Sequence, residues 1–213
     1  MGLCGGCHGG CCRAFAVPVS GSDILRILSR PQTSFWDVAC RWEDSQGKIA
    51  GSLAPHFFFS DEPQTPFVIC LLRAESRQYA GTECCKFLKE LPPTPEAPLG
   101  RSECGIYDHR PGVCRIFPAT LDVDDQVAFR DTRCSASTAP ALRLCPRPWQ
   151  MSDSNPLQVL QDLRSASGEM MLFHEFATAW NRRPLEWSLF PSILEQVYLD
   201  LARRESEQVR RAA

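Results

Sequence analysis

No apolar run of the roughly 18 residues that a membrane-spanning helix requires occurs in this chain, so no membrane partner is expected. The N-terminus also lacks the basic region and continuous apolar stretch of a secretory leader. Its first cysteine is residue 4, and glycines stand where the apolar stretch would be. Charge of one sign is missing too. Lys and Arg number 23 against 25 Asp and Glu, for a net charge of -2, and no block of like charges appears. That balance gives no electrostatic footprint for DNA or RNA, and no nucleic-acid partner is expected. No glycine-rich loop follows a strand in the manner of methyl-donor sites. The C-x₃-C-x₂-C spacing of radical enzymes that use S-adenosylmethionine is absent as well. These absences together lead to the expectation of a cytoplasmic, reduced protein.

Cysteine is what the chain has in excess: there are twelve. Clustered cysteines serve either as a disulfide framework in secreted proteins or as metal ligands in a reducing compartment, and the missing leader favours ligands. Hydrophobic residues at 44% and charged residues at 23% are ordinary for a folded protein. A length of 213 residues suffices for one sizeable domain or a domain with an appendage.

Along the chain, residues 1–12 are too rich in glycine for a regular element and suit a backbone wrapped closely round an ion. Ala14 to Val19 reads as a short strand. A helix from Asp23 to Ser29, capped at Ser20 or Ser22, carries Ile24, Ile27 and Leu28 on one face. A second short helix is expected from Ser34 to Trp42. Strands are expected over Gly47–Leu53, His56–Phe59 and Phe67–Leu72, the last apolar throughout and so buried. Cys40 on the second helix and Cys70 in the buried strand read as core residues, since a free cysteine packs as a small hydrophobe. A proline-rich loop, residues 92–98, leads to Cys104. Val127 to Arg130 is a further strand candidate, and Cys145, before Pro146 and Pro148, lies in extended chain. From Asn155, apolar residues recur at helical spacing through Trp180, with Gly168 as an interruption. A last helix capped at Ser188 carries Leu189, Ile193, Val197 and Leu201. The fold class expected is α+β: residues 1–150 form a small irregular cysteine-cluster domain with short antiparallel strands and short helices. Residues 151–213 form a C-terminal helical hairpin packed on it.

Cys4, Cys7, Cys11 and Cys12 in CGGCHGGCC answer Cys104 and Cys114 about a hundred residues later. A fold that joins the two segments makes a thiolate-rich metal site. Four thiolates on one Zn²⁺ leave a net charge that Arg13, Lys86, Arg110, Arg115 and Arg133 are placed to offset. Adjacent Cys11 and Cys12 seldom complete one tetrahedral centre, so either they serve two metals or only one of them binds. His8 and His109 are further candidate ligands.

CGGCHGGCC at residues 4–12, CKFL at 85–88, CGIY at 104–107 and RPGVCRIFP at 110–118 stand in an order that resembles the YkgJ-type cysteine-cluster proteins. These are widespread bacterial proteins described as zinc- or iron-chelating domains. VPVSGSDILRIL matches that family's short helix with an Asp after the first cluster. The resemblance covers roughly residues 3–134. The first cysteines here are spaced two then three residues apart, where the usual form has three then two, and Cys84 is additional. The resemblance implies the metal ligands Cys4, Cys7, Cys11, Cys12, Cys85, Cys104, Cys114 and Cys134, with Cys145 in reserve for the last place. The cofactor implied is zinc or iron, mono- or binuclear, or an iron–sulfur cluster of the 4Fe–4S kind. Tyr107 is expected to fill the core, the alternative being a hydrogen bond to a thiolate, and Pro111 starts a turn or helix that sets Cys114. A structural or regulatory metal-binding role comes first. Flagellin lysine methylases carry a similar cysteine-cluster domain, which makes a metal- or cluster-dependent enzyme the second reading and a metal chaperone or store the third.

Overall fold

The computed structural model describes residues 7–50, 53–132, 145 and 147–212. Among these residues the chain is α+β, with five α-helices and nine short strands. The helices are α1 (Gly10–Ala14), α2 (Gly21–Leu28), α3 (Gly112–Ile116), α4 (Pro156–Arg182) and α5 (Phe190–Ala212). The strands are β1 (Ala39–Glu43), β2 (Phe57–Phe59), β3 (Glu62–Leu71), β4 (Arg73–Glu75), β5 (Glu83–Cys85), β6 (Leu88–Leu91), β7 (Arg101–Cys104), β8 (Ala119–Leu121) and β9 (Val127–Phe129). All strand pairing is antiparallel: a three-stranded sheet in the order β1-β3-β2, and the two-stranded pairs β4-β5, β6-β7 and β8-β9.

Strand β3 shows why its C-terminal half is apolar throughout. Successive side chains leave a strand on opposite faces. Phe67, Ile69 and Leu71 enter the main core, and Val68 and Cys70 enter a second, smaller core with Ala54. Both faces are covered, so neither can be polar. The main core is largely aromatic, with Phe57, Phe59, Phe173, Phe176, Trp180 and Phe190 in mutual ring contact. It runs without a break across residue 150, where the sequence suggests a boundary between cluster domain and helical extension.

Helix α4 also completes the sheet. The outer edge of β2 would leave backbone groups without partners, and side chains of α4 satisfy them. Asn181 accepts from the Phe58 N–H at 3.0 Å and donates to the His56 carbonyl at 2.8 Å, and Trp180 Nε1 donates to the Phe58 carbonyl at 2.7 Å. Helices α4 and α5 meet through Phe176, Trp180 and Phe190 near their connection, and both lie against α2. Among the described residues no helix is long and apolar enough to cross a membrane.

Several local expectations change. Residues 34–42 are not one helix. Ser34 and Asp37 cap a single 3-10 turn at Phe35–Asp37, and the chain then joins β3 as β1, which places Cys40 on a strand. Residues 47–50 do not form a strand, because the Ile49 and Ala50 N–H groups bond to the buried Asp44 carboxylate at 3.2 and 2.8 Å. The expected strand from Ala14 contracts: Ala14 ends α1, and residues 17–19 touch β3 through Val19 N to Ile69 O and Leu71 N to Val17 O. Helix α2 takes Ser20 as its cap, in a reciprocal pair with Asp23. Helix α4 passes through Gly168 without interruption. Ser188 lies inside a 3-10 turn, Trp187–Leu189, and does not cap α5.

Candidate metal centre

The front of the chain is fixed to the β6–β7 hairpin. Ser102 donates from its N–H to the Cys7 carbonyl at 2.8 Å and from its hydroxyl to the His8 carbonyl at 3.1 Å. Gly9 then takes φ 75°, the left-handed region that glycine enters at little cost, and a Cβ there would stand 2.8 Å from a Leu88 methyl. That turn starts α1, so Cys11 and Cys12 lie on one helical turn and not in the irregular wrap expected for residues 1–12. Arg13 anchors the helix from beneath. It is 2% exposed, pairs with Glu90 at 2.6 Å, donates to Ser76 Oγ at 2.9 Å and lies over the Tyr79 ring. Arg73 closes the other end of α1, donating to the carbonyls of Arg13 and Phe15, each at 2.7 Å.

Strand geometry separates the cysteine pair at 84 and 85. On β5 the two side chains leave opposite faces. Cys85 packs into the main core, and Cys84 faces Glu90, Arg13 and Arg73. The pairing of Leu88 with Cys104 in the β6–β7 hairpin carries Cys104 back toward Cys85. Cys114 sits on α3, which begins at Pro111 as the sequence suggests. Asp23 of α2 holds that start, its Oδ1 accepting the Gly112 N–H at 2.9 Å. Gly112 is small by necessity, since a Cβ there would stand 2.8 Å from the Ala166 methyl of α4.

The thiols influence one another across these elements. Burial pushes the Cys114 thiol well above its usual range, and Cys85, Cys11 and Cys104 add to the shift. Burial raises Cys104, and Cys11 adds to it, against the Ile106 N–H, Arg110 and Arg30. Burial lifts Cys85 to about 12, with Cys104 and Cys84 contributing. A hydrogen bond with Cys12, then burial, then the charges of Cys12 and Cys7 raise Cys11. Burial raises Cys145, with Cys11 and Cys7 adding, against the neighbouring Trp149 and Thr132 side chains. Cys7 alone of these is lowered: hydrogen bonds from His8, Gly9 and Gly10 outweigh its burial. Coulomb coupling of this kind falls off with distance, so it marks neighbours.

Cys7, Cys11, Cys12, Cys85, Cys104 and Cys114 thus lie in one neighbourhood, which Cys145 joins. Cys4 and Cys134 lie outside the described residues, as does Arg133. Cys84 adjoins Cys85 but leaves the opposite face of β5, and Cys40 and Cys70 lie elsewhere. Cys11 and Cys12 stand on one turn of α1, near enough for each thiol to act on the other. Tyr107 does not fill the core: it is 51% exposed, with the Arg110 guanidinium 3.9 Å from its ring centre. His8 is buried and bonds to the Cys7 thiol, and His109 ends a 3-10 turn. Among the cations expected to balance the site, Arg110 stands beside Cys104. Arg13 is taken by Glu90, Lys86 reaches Asp37 at 3.2 Å and Arg115 lies 3.7 Å from Glu169. Arg30, beside Cys104, has no signal in the sequence, because only the tertiary packing of α2 brings it there.

Among the described residues no three Cys, His, Asp or Glu side chains stand in an arrangement that holds an ion as they are. The donors are nevertheless all sulfur, and among the described residues Cys11, Cys12, Cys85, Cys104 and Cys114 are uncrosslinked, a set that suits zinc or an iron–sulfur cluster. No family model matches the chain, and no curated protein or solved structure matches it. The resemblance to cysteine-cluster proteins therefore stands on the motifs alone.

Proposed function

We propose that this protein binds zinc or iron, as one or two ions or as an iron–sulfur cluster, through the thiolates of Cys7, Cys11, Cys12, Cys85, Cys104 and Cys114. Cys4 and a later cysteine complete the set, and the metal has a structural or regulatory role in the cytoplasm. The observation that supports this reading is that Cys12 of α1, Cys85 of β5, Cys104 of β7 and Cys114 of α3, elements far apart in sequence, pack on one core. A bound metal drives the protons off such thiols and gains folding free energy by closing the long loops between them.

Elemental analysis of anaerobically purified protein, with its visible absorption spectrum, tests the proposal. Zinc at roughly one or two equivalents with no visible band is one expected result. Iron and sulfide with a broad visible band is the other. A natively folded protein free of metal, or one whose cluster cysteines are paired as cystines, overturns the proposal.

Partial exposure of Cys7, Cys12 and Cys104 supports a second reading, a store or chaperone that exchanges its metal. Rapid loss of metal to a competing chelator from a still-folded protein favours the store. Loss only with global unfolding favours the structural role.

A further inference from the structure

Two cysteines outside the cluster face each other across the central sheet. The antiparallel register of β1 and β3 sets Cys40 directly opposite Cys70. Leu72 N donates to Val38 O, and Asp44 N donates to Pro66 O, each at 2.9 Å. Val38 and Leu72 lie two residues from Cys40 and Cys70, and Asp44 and Pro66 lie four, so Cys40 and Cys70 are a hydrogen-bonded pair in the same ladder. Opposed residues in such pairs have Cα atoms about 5.5 Å apart, inside the Cα span that a disulfide bridges, and their Cβ atoms, about 5 Å apart, must draw together as the bond closes. Their side chains leave the same face. Cys70 is fully buried in the small core with Val68 and Ala54, and half-buried Cys40 packs against it. The cluster thiols lie on other elements, and none is coupled to this pair.

The geometry points to a second thiol site in this protein: Cys40 and Cys70 form a dithiol that closes to a cystine by exchange with a low-molecular-weight disulfide. The Cys40 thiolate attacks one sulfur of that disulfide, whose S–S bond breaks, and the first small thiol leaves and takes up a proton. The Cys70 thiolate then attacks Sγ of Cys40 in the mixed disulfide and expels the second small thiol. Two protein thiols and one disulfide become one protein cystine and two small thiols. Cys40 attacks first because it is the more exposed of the two. Burial raises both thiols above their ordinary value, so exchange is slow at neutral pH and quickens as pH rises. The new bond would join β1 to β3 covalently and leave the cluster cysteines untouched.

The test uses anaerobically purified full-length protein, oxidised glutathione as the probe, then alkylation and peptide mapping without reduction. The expected product is a linked pair of peptides carrying Cys40 and Cys70, two hydrogens lighter than the free peptides together. It should become the major form of both peptides, and it should form faster in alkaline buffer. The Cys70→Ala variant should stop at the glutathione adduct on Cys40, which tests the order of attack even if the linked form is short-lived. Cys40 and Cys70 both recovered alkylated, bonded to cluster cysteines, or linked only after urea unfolding would overturn the inference.

Discussion

Cys85→Ser is expected to lower metal content at least roughly tenfold, whereas Cys84→Ser, one residue away, should leave it unchanged. The two differ in which face of β5 they leave. Cys85 is coupled to Cys104 and flanks Cys114, and Cys84 looks toward Glu90, Arg13 and Arg73. Structural zinc sites contribute about 10–16 kcal/mol of apparent binding free energy. Replacing one thiolate by a hydroxyl, which does not ionise near neutral pH, should therefore remove several kcal/mol from folding. Cys114→Ser, on the most strongly perturbed side of the cluster, should behave like Cys85→Ser. Cys84→Ser still places a hydroxyl at a site 3% exposed, for a cost of about 1–3 kcal/mol. Its effect should appear in the unfolding midpoint and not in the metal-to-protein ratio. Elemental analysis of the variants, with thermal unfolding of each, separates the two outcomes. Equal metal loss from Cys84→Ser and Cys85→Ser would sink the assignment of ligands by strand face.

The cysteine neighbourhood is visible in the sequence because Cys7, Cys11 and Cys12 stand at short spacing in one stretch, a pattern that soft-metal ligation favours. The buried strand at 67–71 and the two C-terminal helices are visible because periodicity survives without tertiary context. Residues whose state depends on partners far along the chain are not. Cys40 reads as helical until β3 recruits residues 39–43, and only then does it meet Cys70. Residues 47–50 alternate like a strand, yet Asp44 captures their N–H groups first. Arg13 reads as a counter-charge for thiolates, but Glu90, 77 residues later, claims it. Tyr107 reads as core because aromatic residues usually are, and its exposure follows from the tight turn that delivers α3. For Cys40 and Arg13 a long-range partner outweighs the local signal, and at residues 47–50 and at Tyr107 a tight turn does.

Asp23→Ala is the second large expected effect, about 3–5 kcal/mol of lost stability together with faster loss of metal. Asp23 is 2% exposed and serves three groups. Oδ2 accepts the Ser20 N–H at 3.0 Å and closes the cap of α2. Oδ1 accepts the Gly112 N–H at 2.9 Å and pairs with Arg26. Alanine would leave two buried N–H groups without an acceptor and Arg26 with Glu169 as its remaining partner, at 3.1 Å. The Gly112 bond matters most for the site, because it fixes the first turn of a five-residue helix that is too short to be stable alone and that carries Cys114. Asp23→Asn keeps one acceptor oxygen but turns an amide N–H₂ toward a backbone N–H, so it should recover only part of the loss. Chelator challenge followed by absorbance gives the rate of metal release, and denaturant unfolding gives the stability. If Asp23→Ala unfolds within about 1 kcal/mol of the parent and releases metal at the parent's rate, Asp23 does not brace the cluster helix, and the positioning of Cys114 must be sought in its packing on α4.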